Sequence, residues 1–146
     1  MDIAHADLST NAVLNKKIKG GNATIISETG DEHATSVAGI IAAARNGEGV
    51  VGIAYDAKIS PINIFDDSQR DSAYVWNVLK QQSLFHITNH SWSFTGAFAA
   101  NPLVAEYAAA LSGFTMAADL GRGKLGTIAN VAAGNYRQLG LSTETN

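Results

Sequence analysis

The sequence predicts an α/β fold in which a parallel sheet is flanked by helices on both faces. Segments with helical spacing alternate with short runs rich in β-branched residues, and this alternation is typical of strand–helix–strand units. The chain has 146 residues, of which 46% are hydrophobic and 16% are charged. That composition supplies enough apolar material for one core, so we expect a single domain over residues 1–146.

Apolar spacing predicts three helices. The first, 34–45, is small and apolar throughout, so we expect it to be buried on most sides. The second, 71–82, begins at an Asp-Ser pair that can cap it. The third, 102–120, ends at a glycine. Its apolar stripe consists of Leu103, Tyr107, Leu111 and Phe114.

Three short runs are predicted as strands, 58–65, 87–91 and 127–133. Each is short enough for a buried strand. We expect them to lie in the parallel sheet, because the segments between them are long enough for helical crossovers.

Charge and cysteine content exclude several classes of protein. Ten basic and thirteen acidic residues give a net charge of −3 without long runs, so we expect neither a nucleic-acid nor a membrane partner. The chain has no cysteine, which excludes disulfides and thiolate metal sites. No secretory signal opens the chain, so either the protein is cytoplasmic or its natural N-terminus lies upstream.

Two segments contain residue types suited to catalysis. His33 precedes the first predicted helix, where a histidine can act as a general base if it has solvent access, rigid support and an orienting acid. Asn135 follows the last predicted strand in the run Ala133-Gly134-Asn135. Each has a simpler interpretation, since His33 alone could be a cap or core histidine and Gly134-Asn135 could be an ordinary turn.

The segment that begins His33-Ala-Thr-Ser-Val-Ala-Gly39 resembles the active-site histidine segment of the subtilases, whose pattern is His-Gly-Thr-x-Val-Ala-Gly. Ala34 replaces the first glycine of that pattern. The resemblance implies a serine endopeptidase with an Asp/His/Ser triad, in which His33 is the base and then the acid. It also implies that the side chain of Asn135 donates to the oxyanion. Gly39 suggests a helix pressed closely against a neighbouring element.

Substrate-binding residues follow from the same resemblance. The run Asn89-His-Ser-Trp-Ser93 is similar to the family's Asn-x-Ser-Trp-Gly, whose backbone pairs with the substrate as an added strand. Ser93 stands where glycine is usual and would narrow the first specificity pocket. Trp92 could equally be a packed residue at an ordinary strand end. The substrate-binding set is Ser91, Trp92, Ser93, Ala132, Ala133 and Gly134.

Residues 121–128 and 51–57 resemble the kexin-like branch of the family more than the secreted subtilisins. Kexin-like enzymes cut after basic residues by means of acidic pocket residues. The segment 93–96 contains no acidic residue at the corresponding place. Basic specificity is therefore not implied for this chain.

A structural calcium ion is the cofactor that the sequence favours. Residues at every second position of the loop after the first helix can turn oxygens towards a hard cation. In many subtilases the corresponding loop binds calcium together with an upstream aspartate, which Asp7 matches in His5-Ala-Asp-Leu8. The alternative is a solvated Asn-Gly turn. The predicted ligands are Asp7, Ala44, Asn46, Glu48 and Val50.

Two other motifs do not predict a binding site for a nucleotide or a metal. Gly121, Gly123 and Gly126 match Gly-x-Gly-x-x-Gly, but a helix precedes them and a strand follows, which is the reverse of a dinucleotide cradle. His86 and His90 are four residues apart on a predicted strand, which would separate their side chains by about 13 Å. They are therefore not a zinc-binding pair.

The resemblance places the catalytic aspartate upstream of Met1 and the serine beyond Asn146. Residues 1–146 are thus expected to be part of a catalytic domain that is inactive by itself. The alternative is a degenerate, non-catalytic α/β binding or structural protein. For the parent enzyme the resemblance implies secretion or the cell surface and a protein or peptide substrate, and it allows a pro-segment as a second partner.

Overall fold

The computed structural model describes residues 1–13, 32–64, 77–92 and 105–135. These residues belong to two compact units, Met1–Arg70 and Asp71–Asn146, and each is described by itself. The described elements, in chain order, are α1 (Ala6–Ser9), α2 (Glu32–Ala42), a 3-10 helix (Gln81–Leu84), β1 (Ile87–His90), α3 (Ala105–Lys124) and β2 (Ile128–Val131). The predicted α/β class with a parallel sheet and helices is confirmed, while the prediction of a single domain stays a prediction.

In the first unit, the N-terminal segment packs against α2. Met1, Leu8 and Ala38 form its core, with Ile3, Ala12 and Ile59 packed against them. Asn11 is buried and joins distant segments, because its Nδ2 donates to the carbonyls of Ala42 at 3.0 Å and Tyr55 at 2.6 Å. Its Oδ1 accepts from Lys58 Nζ at 3.0 Å. These bonds fix the C-terminal end of α2 against the N-terminal segment.

The helix α2 is shorter and more exposed than predicted. It ends at Ala42. The N–H of Ala43 still donates to the carbonyl of Gly39 at 3.1 Å, but the N–H of Ala44 donates to the carbonyl of Asp7 at 2.7 Å. Its buried residues are Ala38 and Ala42, whereas Ile40 is 66% exposed. The expectation that this helix is buried on most sides is therefore wrong, since only one of its faces packs against the N-terminal segment.

The predicted strand 58–65 is reduced to an isolated bridge in its described part. Ile59 pairs in parallel with Ala12, and the two segments exchange bonds of 2.9 Å from Ile59 N to Asn11 O and from Val13 N to Ile59 O. Phe65 lies outside the described residues.

In the second unit, β1 and β2 form a two-stranded parallel sheet in which Ile87 pairs with Ile128 and His90 with Val131. The two predicted strands 87–91 and 127–133 are thus confirmed with slightly shorter bounds. Residues 77–80 are helical and lead into the 3-10 helix, so the described end of the predicted helix 71–82 is helical too. Its first six residues lie outside the described residues.

The helix α3 stops being regular where the sequence predicts. Gly121 leaves the helical region with ψ of 151°, and Arg122 and Gly123 have positive φ values of 51° and 67°. The predicted apolar stripe is wrong at Leu111, which is 55% exposed. In the described part of α3 the buried residues of its regular turns are small, namely Ala110, Gly113 and Ala117, and a Cβ at Gly113 would lie 3.0 Å from Leu79. Leu103 and the side chain of Tyr107 lie outside the described residues.

Among the described residues, no helix combines the length and the apolar content needed to cross a membrane.

Two glycines of the first unit have opposite roles. Outside the backbone of its own helix, no atom of the described residues lies within 4 Å of a Cβ placed at Gly39, so this part of the chain does not show the predicted close packing. At Gly52 a Cβ would overlap the backbone nitrogen of Ala43 and lie 2.6 Å from that of Ala42. The close approach is therefore made by Gly52, whose N–H donates to the carbonyl of Ala43 at 2.9 Å.

We expect Gly39→Ala to raise the free energy of unfolding by about 0.5–1 kcal/mol, because it removes the entropy of a helical glycine without a steric cost. Gly52→Ala, which serves as the matched control, should lower it by about 1–3 kcal/mol through overlap with the backbone of α2. Urea denaturation of both variants measures the two changes. Equal effects of the two substitutions would contradict this assignment.

Candidate functional site

His33 is the second residue of α2, and its side chain is exposed. The first turn of this helix is tied to the N-terminal segment, since the N–H of Asp2 donates to Thr35 Oγ1 at 2.8 Å. The last turn is tied by Asn11, which donates to the carbonyl of Ala42. Solvent access and rigid support, two of the three requirements of a histidine base, are therefore both present.

Asn135 is exposed and follows β2 after Gly134, which has a positive φ of 85°. A glycine suits this conformation because it has no Cβ to clash with the backbone. The chain thus turns sharply just before Asn135. His33 belongs to the first unit and Asn135 to the second, and each is placed here within its own unit.

The described substrate-binding residues directly follow the two strands, at the same edge of the sheet. Ser91 and Trp92 are partly buried and follow β1, while Ala132, Ala133 and Gly134 follow β2. The ladder continues past the strands, because the N–H of Ala132 donates to the carbonyl of His90 at 3.0 Å. The two segments therefore run side by side at the carboxyl edge of parallel strands, where α/β proteins commonly bind ligands. Ser93 lies outside the described residues.

Polar side chains line the exposed face of the same strands. Asn130 Nδ2 donates to Asn89 Oδ1 at 2.9 Å, and Asn89 Nδ2 donates to Ser91 Oγ at 2.8 Å. Asn89 and Asn130 are partners in the strand register. This chain of bonds fixes the position of the Ser91 hydroxyl relative to the sheet.

The loop 44–50 closes over α1 and brings the predicted calcium ligands together. The side chain of Asp7 is 5% exposed, and its Oδ2 accepts from the N–H of Val50 at 3.0 Å. Asn46 Nδ2 donates to the carbonyl of Ala6 at 3.2 Å, and Asn46 Oδ1 accepts from the N–H of Glu48 at 3.0 Å. Ala44 reaches the same aspartate through its N–H. All five predicted ligand residues thus belong to one local structure.

Two features of this loop suit a hard cation. Gly47 and Gly49 have positive φ values of 86° and 55°, which curl the backbone, and a Cβ at Gly49 would overlap the Asp7 carboxylate. The buried Asp7 carboxylate has one hydrogen bond and no basic partner in the described part of the chain. A carboxylate, an amide oxygen and backbone carbonyls are the donors that calcium prefers. The residues present therefore fit calcium.

A buried polar cluster on the other face of β1 was missed by sequence reasoning. It consists of Gln82, Thr88 and His90, all of which are buried. Thr88 Oγ1 donates to Gln82 Oε1 at 3.0 Å, and His90 Nε2 lies 2.7 Å from the same oxygen. The signal that could have revealed it is the period of two in β1, which places Thr88 and His90 on one face.

Burial lowers the pKa of His90 from its ordinary value of 6.5. The folded chain therefore binds a proton at this ring less readily than the unfolded chain does. The contribution of neutral His90 to the free energy of unfolding is thus fully present above pH 6.5, and it is lost as the pH falls through the lowered pKa. We expect the free energy of unfolding to decrease on acidification in this window, and His90→Phe to flatten the decrease. Urea denaturation from about pH 8 to about pH 5 measures it.

His86→Phe provides the control for this titration, because His86 is exposed just before β1. That variant replaces an imidazole outside the buried cluster, so a flattening found only with His90→Phe identifies His90 as its source. A pH dependence that His90→Phe leaves unchanged would show that other groups cause it.

The elements on either side of the glycine-rich run 121–126 exclude a nucleotide-binding loop there. The regular part of α3 precedes it and β2 begins two residues after it. The N–H of Gly126 donates to the carbonyl of Gly121 at 2.9 Å, so part of the loop bonds to itself. The run is the connection between α3 and β2.

Comparison with known proteins gives consistent matches. The subtilase family model of peptidase S8 matches residues 1–146. Fervidolysin of Fervidobacterium pennivorans is 40% identical over 79 residues, which are 48% of this chain and 11% of that protein. A probable subtilase-type serine protease of Deinococcus radiodurans is 38% identical over 74 residues, which are 47% of this chain and 10% of that protein. The chain spans about a tenth of the length of these curated relatives.

Proposed function

Because the chain belongs to the subtilase family, we propose that it is an internal portion of a serine endopeptidase that hydrolyses peptide bonds through a triad. The observation that carries this proposal is the family match over the whole chain together with an exposed His33 at the start of a tethered helix. The aspartate and the serine of the triad would come from segments on either side of this chain.

His33 would act first as a base and then as an acid. It takes the proton of the serine hydroxyl as the serine oxygen bonds to the peptide carbonyl carbon, and it later gives that proton to the leaving amine. Asn135 would donate its amide N–H to the oxygen of the carbonyl, which becomes negative in the tetrahedral intermediate. Support comes from the exposure of both side chains.

An extended peptide is the substrate that the sheet edge suits. Residues 91 and 92 and residues 132–134 leave neighbouring strands at the same edge, and an extended peptide can pair with backbone of this kind as an added strand. Ala132 and Ala133 are small and exposed, which leaves room for a substrate side chain. We define Ser91 and Trp92 as the candidate substrate-binding segment. This segment would lie on one side of the space for the substrate side chain.

The kexin-like branch is our finer assignment within the family. It is supported by the resemblance of residues 121–128 and 51–57 to that branch. Cleavage after basic residues is not part of the proposal, because residues 93–96 contain no acidic side chain. For the complete protein we propose secretion or display at the cell surface, a protein or peptide substrate, and a pro-segment as a further partner.

A fluorophosphonate probe, which labels activated serines, tests the proposal. The 146-residue chain should remain unlabelled and should not cleave denatured casein, because it lacks the nucleophile. The protein expressed from the complete gene should be labelled at one serine and should cleave casein. Stoichiometric labelling of the 146-residue chain would refute the portion hypothesis, and a complete gene without the flanking Asp-Thr-Gly and Gly-Thr-Ser segments would favour the degenerate, non-catalytic protein.

We also propose that the loop 44–50 binds a structural calcium ion. Asp7 and Asn46 would hold it with side-chain oxygens, and Ala44, Glu48 and Val50 with their carbonyls. Such an ion would neutralise the buried Asp7 carboxylate and would tie α1 to the end of α2. The competing interpretation is a turn that is complete without a metal, in which Asn46 Oδ1 is satisfied by the N–H of Glu48.

Calcium should raise the stability of the complete catalytic domain, because a ligand bound only by the native state stabilises it by mass action. The increase is about 2.7 kcal/mol at a hundredfold excess over the Kd. Thermal unfolding with calcium and with chelator measures it. Asp7→Ala and Asn46→Ala should abolish the difference, while Asp56→Ala, which removes an exposed carboxylate elsewhere in the unit, should retain it. Equal Tm values with and without calcium in the wild type would show that the loop is only a turn.

A further inference from the structure

The buried face of β1 directs two polar side chains to one amide oxygen. Thr88 Oγ1 and His90 Nε2 lie 3.0 Å and 2.7 Å from Gln82 Oε1, and His90 Nε2 also lies 3.1 Å from Thr88 Oγ1. An amide oxygen only accepts hydrogen bonds, so the Nε2–H of His90 donates to Gln82. This bond fixes the imidazole, because it sets both the tautomer and the plane of the ring.

One polar group of this cluster is left without a hydrogen bond. Gln82 is 2% exposed, and its Nε2 has no hydrogen-bond partner in the described part of the chain. A buried donor without a partner is costly, and apolar residues of similar shape at such positions are often as stable or more stable. A buried polar group without a partner calls for a specific explanation, and a role in function is one of those known.

His90 connects the cluster to the candidate substrate-binding segment. Its ring makes an edge contact with the indole of Trp92, with ring centroids 5.8 Å apart and planes at 74°. On α3, Phe114 makes a second edge contact, at 5.2 Å and 64°. The imidazole thus contacts two aromatic rings and is fixed by a hydrogen bond to a third element, the 3-10 helix. A phenyl ring could fill this space but could not bond to Gln82.

We propose that His90 is a positioning residue that fixes the Trp92 indole, and with it the candidate substrate-binding segment, through its hydrogen bond to Gln82. The part of this inference that concerns substrate rests on the proposed peptidase function. The part that concerns Trp92 does not, because it depends only on contacts within the second unit. His90 does not touch the reacting atoms, so its effect is expected on substrate binding more than on the chemical step.

The position of Trp92 is measured in the 146-residue chain with Trp76→Phe as background, which leaves Trp92 as the single tryptophan. His90→Phe keeps a ring but loses the bond to Gln82, and Gln82→Met removes the acceptor. Both should shift the Trp92 emission to the red and increase its quenching by acrylamide. Thr127→Val is the matched control, because the hydrogen bonds of Thr127 Oγ1 go to two backbone carbonyls, Phe85 O at 2.7 Å and Gln82 O at 3.3 Å. It should lower the Tm and leave the Trp92 emission unchanged.

The effect on substrate is measured in the complete enzyme with a quenched-fluorescence peptide taken from a casein site that the wild type cleaves. His90→Phe and Gln82→Met should raise KM about tenfold, with kcat within about twofold of the wild type. The double variant, in which both polar partners are apolar, should regain stability and keep the raised KM. Thr127→Val should leave KM unchanged.

The outcomes separate the two proposals. Unchanged Trp92 emission and quenching in both single variants would overturn the positioning role, and so would a double variant with wild-type KM. A complete protein that cleaves no peptide, or one in which His33→Ala leaves cleavage intact, would overturn the peptidase function instead. The fluorescence measurement needs no catalysis, so it decides the position of Trp92 in either case.

Discussion

His33→Ala in the complete enzyme is expected to reduce kcat by about 10⁶-fold, the magnitude established for removal of the histidine from subtilisin, a member of the same family. The loss is large because the triad acts as a unit. Without the imidazole the serine keeps its proton, and the leaving amine receives none. Only the oxyanion donors and substrate binding would continue to accelerate the reaction.

Steady-state kinetics on the casein-derived peptide measure this effect, and active-site titration gives the fraction of competent enzyme. His86→Ala is the matched control, since it removes another exposed histidine and should leave kcat within about twofold of the wild type. If His33→Ala kept more than about a hundredth of wild-type kcat, His33 could not be the base.

Asn135→Ala should lower kcat by about 10² to 10³-fold with little change in KM, again the size of effect known from subtilisin. The amide N–H of Asn135 would be stronger as a donor to the oxyanion than to the ground-state carbonyl, so its loss weakens transition-state binding selectively. The expected signature is therefore equal losses in kcat and in kcat/KM.

Asn77→Ala is the control for this substitution. Asn77 is another exposed asparagine of the second unit, and it lies on the helical residues 77–80, outside the candidate site. We expect a change in kcat of less than about threefold for this variant. A harmless Asn135→Ala, or a rise in KM without a fall in kcat, would show that the oxyanion donor lies elsewhere.

Elements with strong local signals were predicted well. The end of the regular part of α3 at Gly121, the two paired strands and their parallel direction all agree with the sequence interpretation. A glycine stops a helix by its own backbone preferences, and β-branched residues favour strands where the surroundings supply a partner. The strand predicted at 58–65 failed in its described part because pairing requires a partner, and there the available partner at Ala12 provides only one bridge.

The site residues divide in the same way. The proximity of Asp7 to the loop 44–50 was expected from the resemblance to the subtilases, which supplied Asp7, while the spacing of two concerned only the residues of the loop. The cluster of Gln82, Thr88 and His90 could not be expected, since the sequence separates its members and no motif joins them. Its discovery required knowing which face of β1 is buried and which helix covers that face.

The sequence by itself determined the family of this protein, its class of fold, and the candidates His33 and Asn135, because these depend on short motifs and on local backbone preferences. Only the tertiary structure decided which surfaces are buried. It exposed Ile40 and Leu111 although both lie in apolar helices, placed a close backbone approach at Gly52, and buried His90 in contact with two aromatic rings. The physical reason is that burial is set by contacts between residues far apart in the chain, which the local pattern of a single helix or strand does not specify.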